Sequence, residues 1–347
     1  MRRNLHYLNS LLVPAMAYLA VGLGGLWGLL PWGVTFGLIA LIELFLPENT
    51  NNRHDAEETL PAGILALHWI AHVGLLSWWG LRLAQGAYMP GEALLTALAV
   101  GFSAGASGIV VAHEMLHRKG QLWQLGAKTL LASTGNLYFY VTHVRMHHRY
   151  VGTELDHSTA RPGESFYAFL WRTLPGQLTW AWAAEKKRLA AQGLPPFHWQ
   201  NYLIQHALLF GLLTAAFAAW GGLVGLSAWI VQGLVANFLL EYVNYIEHYG
   251  LVRRPEDPIR PWHSWESNKY FSRFFLVDLS RHSDHHLHGA KPYHTLNALE
   301  KAPRLPTGYA GMIYLALLPP LWRKIMDKRL PQAATPSSGD PAISPVQ

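Results

Sequence analysis

Long apolar runs, separated by polar stretches that are alternately short and long, set the pattern of this chain. A helix needs about 20 apolar residues to cross the hydrocarbon layer of a bilayer. Six segments approach or reach that length, near residues 8–27, 29–46, 62–83, 92–112, 202–221 and 224–245. The pattern predicts an all-α, polytopic membrane fold. The turns inside successive pairs (GLLPWG, AQGAYMPGE, WGGLVG) are short and nearly uncharged, whereas the segments between and after the pairs are long and polar. Six helices in three hairpins, all dipping in from one side, are therefore expected, with residues 1–330 as a single domain. The end, residues 331–347, reads PQAATPSSGDPAISPVQ and lacks the apolar positions a packed segment needs, so a disordered tail is expected there. The start, MRRNLHYLNSLLVPAMAYLA, has the basic end of a signal peptide but no clear small-residue cleavage site, and reads as an uncleaved first span.

Composition supports the membrane reading: 51% of the residues are hydrophobic and 14% charged, against about 25% charged in a typical soluble domain. Charge then orients the fold. Residues 113–200 hold ten Lys and Arg against five acids, residues 248–347 hold thirteen against eight, and Arg2 and Arg3 lead the chain. The hairpin tips offer only Arg82 and Glu92. By the positive-inside rule both termini and the segments 113–200 and 248–330 are cytoplasmic, forming a helical cap on a bacterial-type inner (plasma) membrane. The net charge of +6 suits anionic inner-leaflet lipid. The basic residues form no basic helix or reader module, which argues against nucleic-acid binding.

The chain has no Cys and 19 His. Disulfides, thiolate ligands and a cysteine nucleophile are excluded, so a tightly held metal must use His or carboxylate. Three clusters lie on the cytoplasmic side: His113 and His117 in HEMLH; His143, His147 and His148 in HVRMHH; and His282, His285 and His286 in HSDHH. Spacings of three to five residues put the members of each cluster on one side of a helix. His248, in NYIEHYG, falls just past the last span. All nine can lie at one depth. Packing has no use for so many adjacent imidazoles, whereas metal ligation does, and nine ligands are too many for one ion and about right for two.

Taken alone, HEMLH also fits a membrane zinc metalloprotease, with His113 and His117 holding the ion and Glu114 activating water. That reading needs one further ligand and leaves the HVRMHH or the HSDHH cluster idle. A metal sensor or transporter would place its histidines along the spans, the reverse of this distribution.

HEMLHRK, HVRMHH, NYIEHYG and LSRHSDHHLHGAKPYHTL, in this order and around six spans, resemble the integral-membrane alkane 1-monooxygenases, histidine-rich non-haem di-iron enzymes of the fatty-acid desaturase and hydroxylase superfamily. The likeness covers residues 100 to 300. It implies hydroxylation of a terminal methyl group of a hydrophobic substrate, alkane to 1-alkanol, using O2 as co-substrate. It also implies two Fe ions held by His113, His117, His143, His147, His148, His248, His282, His285 and His286. THVRMHH departs from the EHxxGHH usual in alkane hydroxylases. Xylene- and cymene-type methyl monooxygenases share the boxes, so an aryl-methyl substrate is the alternative.

Carboxylates are expected to orient the imidazoles through their outer ring nitrogens, with Glu114, Glu247, Asp284, Asp278 and Asp156 as candidates. The electron donor must be a separate rubredoxin or ferredoxin with its reductase, because those centres need Cys. A docking face is expected around Arg145, Arg149, Lys186, Lys187, Arg188, Arg253 and Arg254. Hydrocarbon dissolved in lipid would reach the site through an apolar tunnel, with aromatics of LHWIAHVGLLSWWGL and NLYFYV as candidate liners. His68, His72, Glu43 and Glu241 lie within spans and are expected to face that tunnel or a polar neighbour.

Overall fold

The computed structural model describes residues 4–331 except 53 and 56. Residues 332–347, nearly all of the expected tail, lie outside the described residues. Among the described residues there is no strand, and the all-helical expectation holds. Among the described residues five helices are long and apolar enough to cross a membrane: α1 (Asn4–Leu23), α2 (Gly25–Phe45), α3 (Thr59–Ala84), α4 (Pro90–His117) and one of 47 residues, Tyr202–His248. Between the last two lies α5 (Phe166–Ala190), so the 47-residue helix is α6.

Helix α6 is not straight. At Gly222 the backbone leaves the helical region (φ 59, ψ −143), a conformation glycine adopts without the steric penalty of a Cβ. The two arms then pack together. Trp229 Nε1 donates to Thr214 Oγ1 at 2.9 Å, and the rings of Phe217 and Trp229 stack with centroids 4.4 Å apart. In a straight helix, residues 15 apart would be separated by about 22 Å, so the chain reverses at Gly222, inside the expected WGGLVG turn.

The turn between α1 and α2 falls elsewhere than expected. GLLPWG, residues 28–33, is helical, and the reversal occurs at Gly24 and Gly25, which have φ of 70 and 53. Two successive positive φ angles make the sharper turn, while Pro31 sits comfortably in the first turn of a helix.

Helix ends are fixed by local chemistry. Pro90 starts α4, and Glu92 accepts from the Met89 amide at 2.9 Å. Ser165 accepts from the Ala168 amide at the start of α5, and Asn201 from the Leu203 amide at the start of α6. Each satisfies an amide that the first helical turn leaves without a partner.

Close helix contact depends on small residues. A Cβ at Gly101 would lie 2.6 Å from the Gln232 carbonyl and 2.7 Å from Val235 Cβ, so α4 and the second arm of α6 touch nearly backbone to backbone. The linker between α2 and α3 is held from the far end of the chain. Arg273 and Arg281, both fully buried, donate to the Asn49 carbonyl at 2.9 and 3.2 Å, and Arg281 also to Asn51.

Forcing a large side chain into a packed backbone contact costs about 1–3 kcal/mol or more. Gly101→Leu is expected to lower the unfolding temperature of the purified protein in detergent by several degrees. Gly33→Leu, where a Cβ meets nothing within 4 Å, should leave it unchanged.

Candidate metal centre

The histidines come from four places in the chain. Helix α4 delivers His113 and His117 in its last turn, directly after a π-helical stretch, Ala104–Ile109. Asn136 accepts from the Phe139 amide at 2.8 Å and starts the helical run 139–150, whose middle, His143–His147, is also π-helical. His248 ends α6. Helix α7 (His282–Leu287) carries the last three.

The turn before α7 is strained. Val277 and Asp278 have φ of 44 and 53, an unfavourable region for a β-branched residue above all. It is held by Arg273, which donates to both oxygens of Asp278 at 2.7 and 3.0 Å, and by the Tyr7 hydroxyl, which also donates to Asp278. Helix α7 is thereby aimed by Arg273 just before it and by Tyr7 from the start of the chain.

All nine histidines converge, in two groups: His113, His117, His143, His148 and His285 form one, and His147, His248, His282 and His286 the other. Within each group one nitrogen per ring lies within 4.8 Å of all the others. His117 and His148 are half-buried and the other seven are buried. The second and third boxes each divide between the groups. In the wider π turn, of about 4.4 residues, positions i+4 and i+5 fall on either side of position i. His147 and His148 therefore point to different groups, where the sequence pattern implied a common side. On α7, His282 and His286 share a face and His285 sits on the next one.

The groups have the geometry of ligands around a cation. Nε2 to Nε2 separations are 3.1 Å for His117–His143, 3.0 Å for His143–His148 and 3.0 Å for His148–His285. In the second group they are 3.2 Å for His248–His282 and 3.1 Å for His282–His286. A cation at about 2.1 Å from each nitrogen sets neighbouring octahedral ligands about 3.0 Å apart.

Hydrogen bonding alone does not satisfy such an arrangement. One imidazole nitrogen is a donor or an acceptor, never both, yet His143 and His148 each face two other rings through the same Nε2. Nε2 of His113 and of His147 is buried without any partner. Burial, and then repulsion among the rings, holds His143, His148, His282, His285 and His286 well below the usual imidazole pKa. Neutral rings keep their lone pairs, so the donor set fits a metal.

Of the expected carboxylates, Asp156 has the geometry of an orienting partner. Its Oδ2 lies 2.9 Å from His147 Nδ1 and accepts from Thr159 at 2.7 Å, while Oδ1 accepts from the Ser158 amide. Burial opposes its ionisation, but His147 and these hydrogen bonds hold its carboxyl below the usual range.

Glu247 is placed differently from expectation. Its Oε2 lies 3.1 Å from His282 Nε2, the nitrogen that faces the other rings of its group, and its Oε1 accepts from the Tyr309 hydroxyl at 2.7 Å. The carboxylate thus faces the interior of the second group.

Glu114, Asp278 and Asp284 bond elsewhere. Glu114 pairs with Arg118 at 3.0 Å and accepts from the Tyr293 amide. Asp278 binds Arg273 and Tyr7, and Asp284 holds His288, Lys291 and the Asn297 amide. Their placement supports the turns around the boxes. It also removes the protease geometry, because Glu114 is tied to Arg118 and His113 belongs to a five-ring group. Tyr309, 62 residues from Glu247, had no signal in sequence spacing.

An apolar cavity of roughly 930 Å³, counting its open end, reaches the histidines. Its wall includes Phe36, Ile39, Phe102, Leu239 and Phe275, and it also touches Glu247, His113 and His143 of the first group and His282 of the second. Of the expected aromatic liners only Phe139 borders it. Glu43 lies in its wall, accepting from the Ser272 amide at 2.7 Å. His68 and His72 meet serines instead, Ser10 and Ser107 for His68 and Ser133 for His72. Glu241 accepts from Tyr138, Gln177 and Asn244.

The expected basic face is only partly free. Arg253 is buried and donates to the carbonyls of Val151, Arg149 and Asp257, while Arg145 and Arg188 both pair with Glu185.

Comparison with known proteins agrees with this geometry. The fatty acid desaturase family model matches residues 92–316. Alkane 1-monooxygenase 2 of Pseudomonas aeruginosa is 39% identical over 316 residues, covering 86% of this chain and 84% of that protein. Alkane 1-monooxygenase 1 of the same species is 44% identical over 238 residues, covering 67% and 62%. The xylene/toluene monooxygenase hydroxylase component XylM of Pseudomonas putida is 27% identical over 334 residues, covering 93% and 88%. A family match over more than half of the sequence, joined to relatives of this identity and coverage, leaves one assignment: the chain belongs to the fatty acid desaturase family, among its alkane 1-monooxygenases.

Proposed function

We propose that this chain hydroxylates the terminal methyl group of an alkane to the 1-alkanol, with O2 and with electrons from a separate rubredoxin or ferredoxin. The observation that carries the reading is the convergence of nine imidazoles into groups of five and four at the floor of an apolar cavity. Each group would hold one iron. An all-nitrogen, neutral donor set suits iron as it suits copper, nickel and zinc, and the family to which the chain belongs favours iron. The chemistry supplied by bound iron is reductive activation of O2 and insertion of one oxygen atom into a C–H bond.

The residues of this chain do the rest. Val110, Leu239, Leu240 and Phe275 border the cavity and exclude water from its floor. A hydrocarbon lying there has its end between His113 and His143 of one group and His282 of the other. Asp156 fixes the tautomer and direction of His147 by accepting from its Nδ1. In the membrane, the five apolar helices make six crossings in three hairpins, α6 counting twice, with residues 1–330 as one unit. The His groups and both termini then lie on the cytoplasmic side of an inner membrane. The broken α6 and the basic segments around the histidines support this orientation.

The similarity to XylM favours testing a second substrate class, the aryl-methyl compounds. Metal analysis of the purified protein, beside donor-dependent oxidation of octane and p-xylene, checks the whole reading. Two irons per chain and 1-octanol formed faster than 4-methylbenzyl alcohol are expected. The reverse preference would move the substrate to alkyl aromatics, and a single zinc with no alcohol would sink the proposal.

Two variants test the site itself. His282→Ala should lose bound iron and abolish turnover while keeping its helical circular dichroism. Asp156→Asn should weaken iron affinity about 10- to 100-fold, the range typical for partners of metal-bound histidines. Asp284→Asn, which touches none of the nine rings, should hold iron as tightly as the parent.

A further inference from the structure

The long segment 113–200 reads from its charges as cytoplasmic, but its largest helix has the wrong surface for water. Helix α5 buries Phe169, Thr173, Gln177 and Ala181 against the protein. Its opposite face exposes Tyr167, Trp171, Leu174 and Leu178, at spacings of four, three and four residues, and Trp171 is 85% exposed. From Phe166 to Ala184 the sequence holds one charge, Arg172. That guanidinium turns back to Glu164 and to the carbonyls of His157 and Thr159. Lys186 and Lys187 are exposed at the C-terminal end.

The neighbours of α5 fix its level. Near its start, Phe166 meets Phe238 and Tyr245, each with ring centroids 5.4 Å away. At its middle, Gln177 donates to Glu241 at 2.9 Å. Further on, Leu178, Thr179 and Trp182 border a groove with Leu203, Ile204 and Ala207, and Glu185 accepts from the Tyr202 amide. The helix therefore crosses from one arm of α6 to the other at nearly constant height. Phe238 and Tyr245 precede the end of α6 at His248 by ten and three residues, which is about 5–15 Å inside that end. Its exposed stripe runs into the exposed face of the first arm, where Leu208 and Leu212 are open by about two thirds.

We infer that α5 lies in the plane of the membrane, on the side of the histidines, with Tyr167, Trp171, Leu174 and Leu178 immersed among acyl chains. Lys186 and Lys187 reach anionic phospholipid headgroups from its end. The inference rests on the proposed reading that the apolar helices span the bilayer. An apolar stripe backed by buried contacts, with lysines at its edge, is the pattern of an interfacial helix, and basic side chains beside the surface favour anionic lipid.

The chain has no cysteine, so single-cysteine variants need no background substitutions. Nitroxide labels at Ala168→Cys, Trp171→Cys, Leu178→Cys and Lys187→Cys are read in the iron-loaded full chain, in nanodiscs of phosphatidylethanolamine and phosphatidylglycerol. Collisions with O2, which concentrates in hydrocarbon, are compared with collisions with a water-soluble nickel chelate. Oxygen should dominate at 168, 171 and 178, and nickel at 187. Leu212→Cys reports the span beside them.

Nickel dominance at 171 and 178 with oxygen dominance at 212 overturns the in-plane helix alone, whereas nickel dominance at 212 as well removes the spanning reading beneath it. Dipolar broadening between copies at 171, or immobilisation there only on adding reduced rubredoxin, assigns the face to a protein and overturns the lipid. If Trp171→Cys does not retain iron, Ala168→Cys and Leu178→Cys decide.

Discussion

The structure depends on crowding nine imidazoles, seven of them buried, with their lone pairs pointing at one another. In isolation that arrangement is unfavourable: each nitrogen has lost water, neighbouring rings cannot all be donors to one another, and Nε2 of His113 and His147 has no partner. Metal binding turns the same crowding into ligation. Much of the remaining polar interior can be understood as keeping the rings aimed. Asp156 holds His147, the buried Arg273 and Arg281 fasten the turn before α7 to the linker after α2, and Gly101 lets α4 approach α6 closely.

Much of this was legible in the sequence for a simple physical reason. Apolar runs of membrane-spanning length are visible without knowing what they pack against, and so are histidines at helical spacing. The reversal inside WGGLVG could be read the same way, since glycine is where a helix can break. The turn between α1 and α2 was placed several residues late because GLLPWG looks like a turn, yet Leu-Leu-Pro-Trp can equally begin a helix. The positive φ angles at Gly24 and Gly25 decided the matter.

Contacts between distant segments were beyond sequence spacing. A carboxylate next to a histidine in sequence is a poor guide to which ring it touches, because on a helix adjacent residues point about 100° apart. Asp284 and Glu114 sit beside ligand positions and turn away to His288, Lys291 and Arg118. Asp156, eight residues past His148, folds back to His147. The π-helical turn at 143–147 was equally hidden, and it decides which ring joins which group. Net charge alone did not reveal the outer face of α5, which is apolar within a basic segment.

Helix α7 supplies His285 to one group and His282 and His286 to the other within six residues. Neither group can form unless this one short helix is seated. Whatever shifts α7 therefore moves ligands of both groups at once, and the Asp278 turn that seats it is a constraint on all nine rings. A substitution that loosens this turn would disturb the two groups together, although it touches neither.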